Sequence, residues 1–161
     1  MILVGVGSNL SVPGIGGPRE VVEAAVAALA GEGVSVAALS PWYRSAPVPL
    51  SDQPWYVNGV LSVATDLDPP ALLARLHAVE EAFGRVRRQV NEARVLDLDL
   101  VAYGGYVRET APVLPHPRMH QRAFVLLPLR DLVPGWRHPV SGLSVDALIA
   151  ALPPGQMTER M

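Results

Sequence analysis

Apolar and polar positions alternate along the chain in a way that sets out most of its elements. Met1 to Gly7 is a short apolar run closed by glycine, which predicts a buried strand. Residues 8–17 read as a loop, and Pro18 suits the first turn of a helix. Val22, Val26 and Leu29 recur at helical spacing, with Gly31 as the expected stop. Val34 to Trp42 predicts a second strand. Residues 46–54 hold three prolines without periodicity and predict a loop, and Tyr56 to Thr65 a third strand. Asp68 is placed to cap a helix that has Pro69 and Pro70 in its first turn. Leu72, Leu76, Val79 and Phe83 form that helix's apolar stripe, and Gly84 closes it. A polar, arginine-rich stretch follows from Arg85 to Arg94, then a strand from Val95 to Tyr103 and a turn at Gly104-Gly105. Further helices are expected near Arg122 to Leu132 and Val145 to Leu152, with a tail that frays from Pro153. The order strand, helix, strand, strand, helix, strand predicts an α+β fold, a ferredoxin-like βαββαβ sandwich with a C-terminal extension, as one domain over residues 1–161.

Composition narrows the chemistry. With 161 residues, 50% hydrophobic and 17% charged, the chain is long enough for one real core. No apolar run reaches the roughly 18 residues of a membrane-spanning helix, and the first residues lack the pattern of a signal peptide. A cytoplasmic location is therefore expected. Cysteine is absent, which excludes thiolate nucleophiles and cysteine metal sites. All 13 basic residues are arginine, so neither a Schiff base nor a lysine-bearing phosphate loop is available. The net charge of −2 gives no sign of nucleic-acid binding.

Several groups stand out against this background. Asp97 and Asp99 alternate with Leu96, Leu98 and Leu100, so the two carboxylates share one strand face, about 6.5 Å apart. Such a pair is either a solvated edge or a seat for a hard divalent cation. Arg85, Arg87, Arg88 and Arg94 form either a solvated basic loop or a polyphosphate grip. Beside an acidic metal seat, such a loop suits magnesium–nucleotide chemistry and is expected to order on the nucleotide. Tyr56 and Asn58 share a face of the third strand; they are core and turn residues, or a platform and an amide for a flat heterocycle. Phe124 is a second ring wall or a core residue. His77 and Glu80, three apart on the second helix, are an exposed pair or nucleotide contacts. Gly5-Val6-Gly7 fails as a dinucleotide fingerprint because Leu10 stands where the third glycine belongs, and a tight strand-exit turn accounts for the glycines.

Five segments occur in order: Gly7-Ser8-Asn9-Leu10, Asp52 to Asn58, Gly84-Arg85-Val86-Arg87, Arg94 to Leu100, and Pro115-His116-Pro117-Arg118-Met119. With them the chain closely resembles the 6-hydroxymethyl-7,8-dihydropterin pyrophosphokinases of folate biosynthesis, up to about Pro139. The resemblance implies transfer of pyrophosphate from ATP to the hydroxymethyl group of 6-hydroxymethyl-7,8-dihydropterin, with release of AMP and with two Mg²⁺ ions. It implies metal ligation by Asp97 and Asp99 and a catalytic phosphate grip by Arg85 and Arg94. Arg87, His77, Glu80, Leu100, His116 and Arg122 match positions lining the ATP site. Tyr56 and Phe124 match the rings that sandwich the pterin, and Asn58 its amide. Ser45, Ala46 and Val48 match the proline loop that contacts the pterin. Asn91-Glu92-Ala93 replaces the Trp-Gly-Pro that family members often carry before the second arginine. Pro117 replaces an aromatic, and Arg88 a lysine.

The expected partners are these two small molecules only, with no nucleic acid, no membrane and a monomeric enzyme. A non-catalytic ferredoxin-like binding module and a metal-dependent nucleotide-sugar transferase are the alternatives.

Overall fold

The computed structural model describes residues 1–47, 49–84 and 95–161. In chain order the elements are β1 (Ile2–Ser8), α1 (Pro18–Ala28), β2 (Ser35–Leu39), β3 (Tyr43–Ser45), β4 (Tyr56–Ala64), α2 (Pro69–Ala82), β5 (Asp97–Tyr103), α3 (Ala123–Leu132), α4 (Val145–Ala150) and β6 (Thr158–Arg160). The sheet is antiparallel. β1 lies between β5 and β4, and β2 and β3 both pair with the far side of β4. Counting β2 and β3 as one interrupted strand gives the ferredoxin-like order.

Side-chain alternation divides the sheet into two apolar faces. Val4, Val6, Val57, Leu61, Leu98 and Leu100 point to one side and pack with Val22, Leu72, Leu76 and Val79 of α1 and α2. Leu3, Val60, Val101 and Ala102 point to the other and pack with Leu126, Leu129 and Leu148 of α3 and α4. Beneath α3 a shift in the β1–β5 register, between Leu3 and Val4, lets Val101 and Ala102 both serve the second core.

The α2 start follows its sequence signals, with the Asp68 carboxylate accepting the Ala71 N–H at 2.9 Å and prolines in the first turn. Three expectations change. The α1 region ends at Gly33 (φ 76°), after a 3-10 turn over Leu29–Glu32, and not at Gly31. The second strand breaks at Ser40-Pro41 because proline has no ladder N–H; the Ser40 hydroxyl accepts the Val60 N–H at 2.9 Å there. The tail does not fray. β6 pairs with β3, and the Met161 N–H donates to the Trp42 carbonyl at 3.0 Å.

Candidate active site

One cleft of about 660 Å³ opens on the α3 side of the sheet. Its floor is built by cross-strand register. Asp97 pairs with Gly7, Gly7 with Asn58 and Asn58 with Tyr43, which makes one row across four strands. The next row pairs Asp99 with Gly5 and Gly5 with Val60. Gly5 and Gly7 therefore lie inside β1, not in an exit turn, and this corrects the sequence expectation. Their missing side chains leave the space between the aspartates and Asn58 open.

Asn58 is buried and its Nδ2 donates to Ser45 Oγ at 2.6 Å. That bond fixes the amide's direction at the point where β3 meets the proline loop. The loop is tied back to the end of β1, since Asn9 Nδ2 donates to the Pro54 carbonyl at 3.1 Å and to Gln53 Oε1 at 3.4 Å. At the loop's base, Arg44 lies over the Trp55 ring, 4.9 Å from its centroid.

The first turn of α3 supplies the opposite wall. Arg122 NH1 stands 3.8 Å from Asp99 Oδ2, and its guanidinium lies 5.4 Å from the Phe124 ring centroid. A cation, a carboxylate and an aromatic face thus meet at one corner. α3 is also anchored to β3, because the buried Tyr43 hydroxyl donates to the Asp131 carboxylate. Burial first, then that carboxylate, push the Tyr43 pKa up to about 12, so it remains a neutral donor.

The cleft brings together Asp97, Asp99, Ser45, Ala46, Tyr56, Asn58, Arg122 and Phe124. Other expected site residues lie elsewhere. Leu100 is buried in the α1–α2 core, and its side chain does not reach the cleft. Glu80 is not exposed: it is buried, and its Oε2 accepts the Leu98 N–H at 2.8 Å. His77 is half-buried on α2, away from the cleft lining.

His116 borders a smaller neighbouring cavity of about 340 Å³. Its Nδ1 accepts the Arg118 N–H at 3.1 Å. Burial, followed by the charges of Arg122 and Arg118, lowers its pKa to about 4, against an opposing pull from Asp97. The ring is therefore neutral near pH 7. Val48, Arg85, Arg87, Arg88 and Arg94 lie outside the described residues.

Some of the lining was not anticipated. Gly155, Gln156 and Met157 of the tail, with Arg118 and Gln121, also line the cleft. A tail segment this far from every recognisable motif carries no local signal of its use.

The donor chemistry fits a hard cation. Among the described residues no group of three or more His, Cys, Asp or Glu side chains is placed to hold a metal. Asp97 and Asp99 instead offer two carboxylates on an open floor, the number used by Mg²⁺ sites completed by water and substrate phosphates.

A family profile described as 7,8-dihydro-6-hydroxymethylpterin-pyrophosphokinase (HPPK) matches residues 3–134. The chain belongs to this family. It is a pyrophosphokinase. A relative from Synechocystis, named 2-amino-4-hydroxy-6-hydroxymethyldihydropteridine pyrophosphokinase, is 41% identical over 149 residues, covering 91% of this chain and 73% of its own. One of the same name from Pseudomonas aeruginosa is 40% identical over 154 residues, covering 94% and 91%. The folic acid synthesis protein of Pneumocystis carinii is 36% identical over 145 residues, 89% of this chain but 19% of that longer protein.

Two solved HPPK-DHPS structures share the fold, each with a TM-score of 0.69. One is a complex with substrates, at 11% identity; the other is from Plasmodium falciparum, at 12% identity. They are matched over 93% and 92% of this chain, which spans 42% and 40% of theirs. The family's ferredoxin-like core is thus carried here by β1 to β5, with α1 and α2 on one face. Among the described residues no helix is long and apolar enough to cross a membrane.

Proposed function

We propose that this site transfers pyrophosphate from ATP to the hydroxymethyl oxygen of 6-hydroxymethyl-7,8-dihydropterin, as a step in folate synthesis, within one domain over residues 1–161. The observation that carries the reading is the row Asp97–Gly7–Asn58. It sets a cation seat and a buried amide on one open floor, with the Gly7 backbone between them. The family and the relatives' names support the substrates.

In this reading Asn58 reads the pterin edge, with Ser45 holding its amide. Tyr56 and Phe124 offer ring faces, and the Ser45–Ala46 backbone forms the rim, while the resemblance assigns a pterin contact to Val48. Asp97 and Asp99 hold Mg²⁺, two ions in the family pattern, which when bound supplies charge neutralisation and orientation of the triphosphate. Arg122, beside Asp99, adds positive charge where the phosphates approach. The sequence resemblance assigns phosphate contacts to Arg85 and Arg94, and places Arg87, His77, Glu80, Leu100 and His116 near the nucleotide. Glu80 and Leu100 then act by shaping the wall behind β5, since both are buried. Neutral His116 offers its Nε2 N–H as a donor, because Nδ1 is already an acceptor.

The hydroxymethyl oxygen forms a bond to the β-phosphorus, the bond from that phosphorus to the α–β bridging oxygen breaks, and AMP leaves. The hydroxyl proton passes to Asp97 or to solvent. We further place the enzyme in the cytoplasm, acting as a monomer.

Incubation with ATP, Mg²⁺ and the hydroxymethyl pterin tests the reading. AMP and the pterin pyrophosphate are expected in equal amounts. ADP as the nucleotide product, or AMP without the pterin ester, would overturn it.

A further inference from the structure

The start of α3 carries Arg122, Phe124 and Val125 of the cleft, yet it lacks a cap of its own. Its N-cap position is Arg122, whose side chain has no acceptor and makes no capping bond. The cap comes from 33 residues away. Gln156 Oε1 accepts the N–H of Ala123, the first helical residue, at 2.8 Å. The same amide's Nε2 donates to the Gln121 carbonyl at 2.7 Å. One side chain therefore grips the backbone on both sides of Arg122 and immediately before Phe124.

The next residue grips the other wall. The Met157 carbonyl accepts the Ala46 N–H at 2.9 Å. Ala46 follows Ser45, which holds the Asn58 amide. The segment itself is fixed at both ends, by β6 pairing with β3 on one side and by Pro153-Pro154 leading into Gly155 (φ 88°) on the other. Backbone around Phe124 and backbone around Ser45 are thus clasped by adjacent residues of one short segment.

We propose that Gln156 is a positioning residue for the substrate ring, and that the tail clasp sets the spacing between the Phe124 wall and the Ser45–Ala46 wall. This rests on the pterin reading above. The side chain acts through α3 and not on the reacting atoms.

Gln156→Met removes both hydrogen-bonding groups at nearly the same size, and Gln156→Glu keeps the acceptor but loses the donor. The probes are 6-hydroxymethyl-7,8-dihydropterin, titrated calorimetrically in the presence of a non-hydrolysable ATP analogue and Mg²⁺, and amide exchange of Ala123 in the free protein. The Gln156→Met protein, fully folded at the assay temperature, is expected to bind the pterin about five- to tenfold more weakly, the scale of one or two neutral hydrogen bonds. Gln156→Glu should fall between it and the wild type. Ala123 should exchange faster in Gln156→Met. Glu159→Ala, which breaks only the exposed Arg44–Glu159 ion pair, should leave pterin affinity unchanged.

Wild-type pterin affinity in folded Gln156→Met overturns the proposal, as does unchanged Ala123 exchange. Should Gln156→Met fail to fold, Gln156→Glu carries the same comparison. A wild-type protein that does not bind the pterin at all overturns the site reading instead, and Ala123 exchange still tests the clasp without ligand.

Discussion

Gly7 faces Asn58 so closely that a Cβ on Gly7 would stand 2.8 Å from Asn58 Oδ1. Asn58 cannot give way freely, because Ser45 holds its other end at 2.6 Å. Gly7→Ala should therefore turn the amide off its axis without opening the sheet. Pterin affinity is expected to fall about tenfold or more, the scale on which a site rejects a ligand after losing a buried polar contact. Calorimetric titration of the folded variant with the pterin, beside its melting curve, checks this. A variant that melts lower yet binds as before would place Asn58 outside ring recognition.

Asp97 and Asp99 carry the cation in the proposed reaction, and both side chains sit at the cleft rather than in a core. Asn at either position keeps the volume and removes the charge. Turnover should drop by about a hundredfold or more, in line with losing one well-placed electrostatic contact at a transferring group. The melting temperature without Mg²⁺ should change little, since the relieved repulsion between the two carboxylates is set against the lost attraction of Asp99 to Arg122. Raised Mg²⁺ should recover part of the rate in either variant, since a higher ion concentration offsets a weakened seat. Near-normal AMP release from either variant at ordinary Mg²⁺ would remove the pair from the metal role.

His116 gives a pH dependence with a definite sign. Its folded pKa is about 4 against an ordinary 6.5, from burial first and then from Arg122 and Arg118. Between those values the unfolded chain binds a proton that the folded chain does not, so acidification favours unfolding. The contribution is constant above pH 6.5, falls as pH drops, and levels off below about 4. His116→Gln should flatten that limb in urea titrations of the metal-free protein at pH 7 and 4.5. The His116 ring resonance should stay in its neutral position down to pH 5. A midpoint near 6.5 by NMR would contradict the burial effect.

Much of this arrangement is legible in residue spacing, for physical reasons. The alternation around Asp97 and Asp99 reports the face they share, and register then carries that face across Gly7 to Asn58. Helix starts are equally readable where the signal is local, as at Asp68 with its two prolines. What spacing misses is non-local. No periodicity indicates that Gly7 is an empty floor position, because the reason is Asn58, about fifty residues on. Nothing near Gln156 announces a helix 33 residues earlier that needs a cap. The strand break at Pro41 was legible in principle, since a proline without an N–H interrupts any ladder.

Glu80 is the sharpest case of a polar residue whose use depends on packing. On α2 it lies one turn from the apolar stripe and looks exposed, yet β5 packs over it and it is 1% exposed. Among the described residues β5 is an edge strand, and its Leu98 N–H is met there by a side chain and not by a ladder partner. Glu80 Oε2 accepts that N–H at 2.8 Å. Because Leu98 stands between Asp97 and Asp99, this bond, together with the β1 ladder, holds the backbone that aims both carboxylates. Glu80→Ala should cost about 1–3 kcal/mol of stability, the scale of a buried donor left unsatisfied. It should also weaken Mg²⁺-dependent nucleotide binding, although Glu80 does not line the cleft. Glu80→Gln keeps an acceptor oxygen and should recover most of the nucleotide affinity. Urea denaturation and titration with a non-hydrolysable ATP analogue measure the two effects separately. Lost stability with unchanged nucleotide binding would reduce Glu80 to a support for the sheet edge and detach it from the aim of the aspartates.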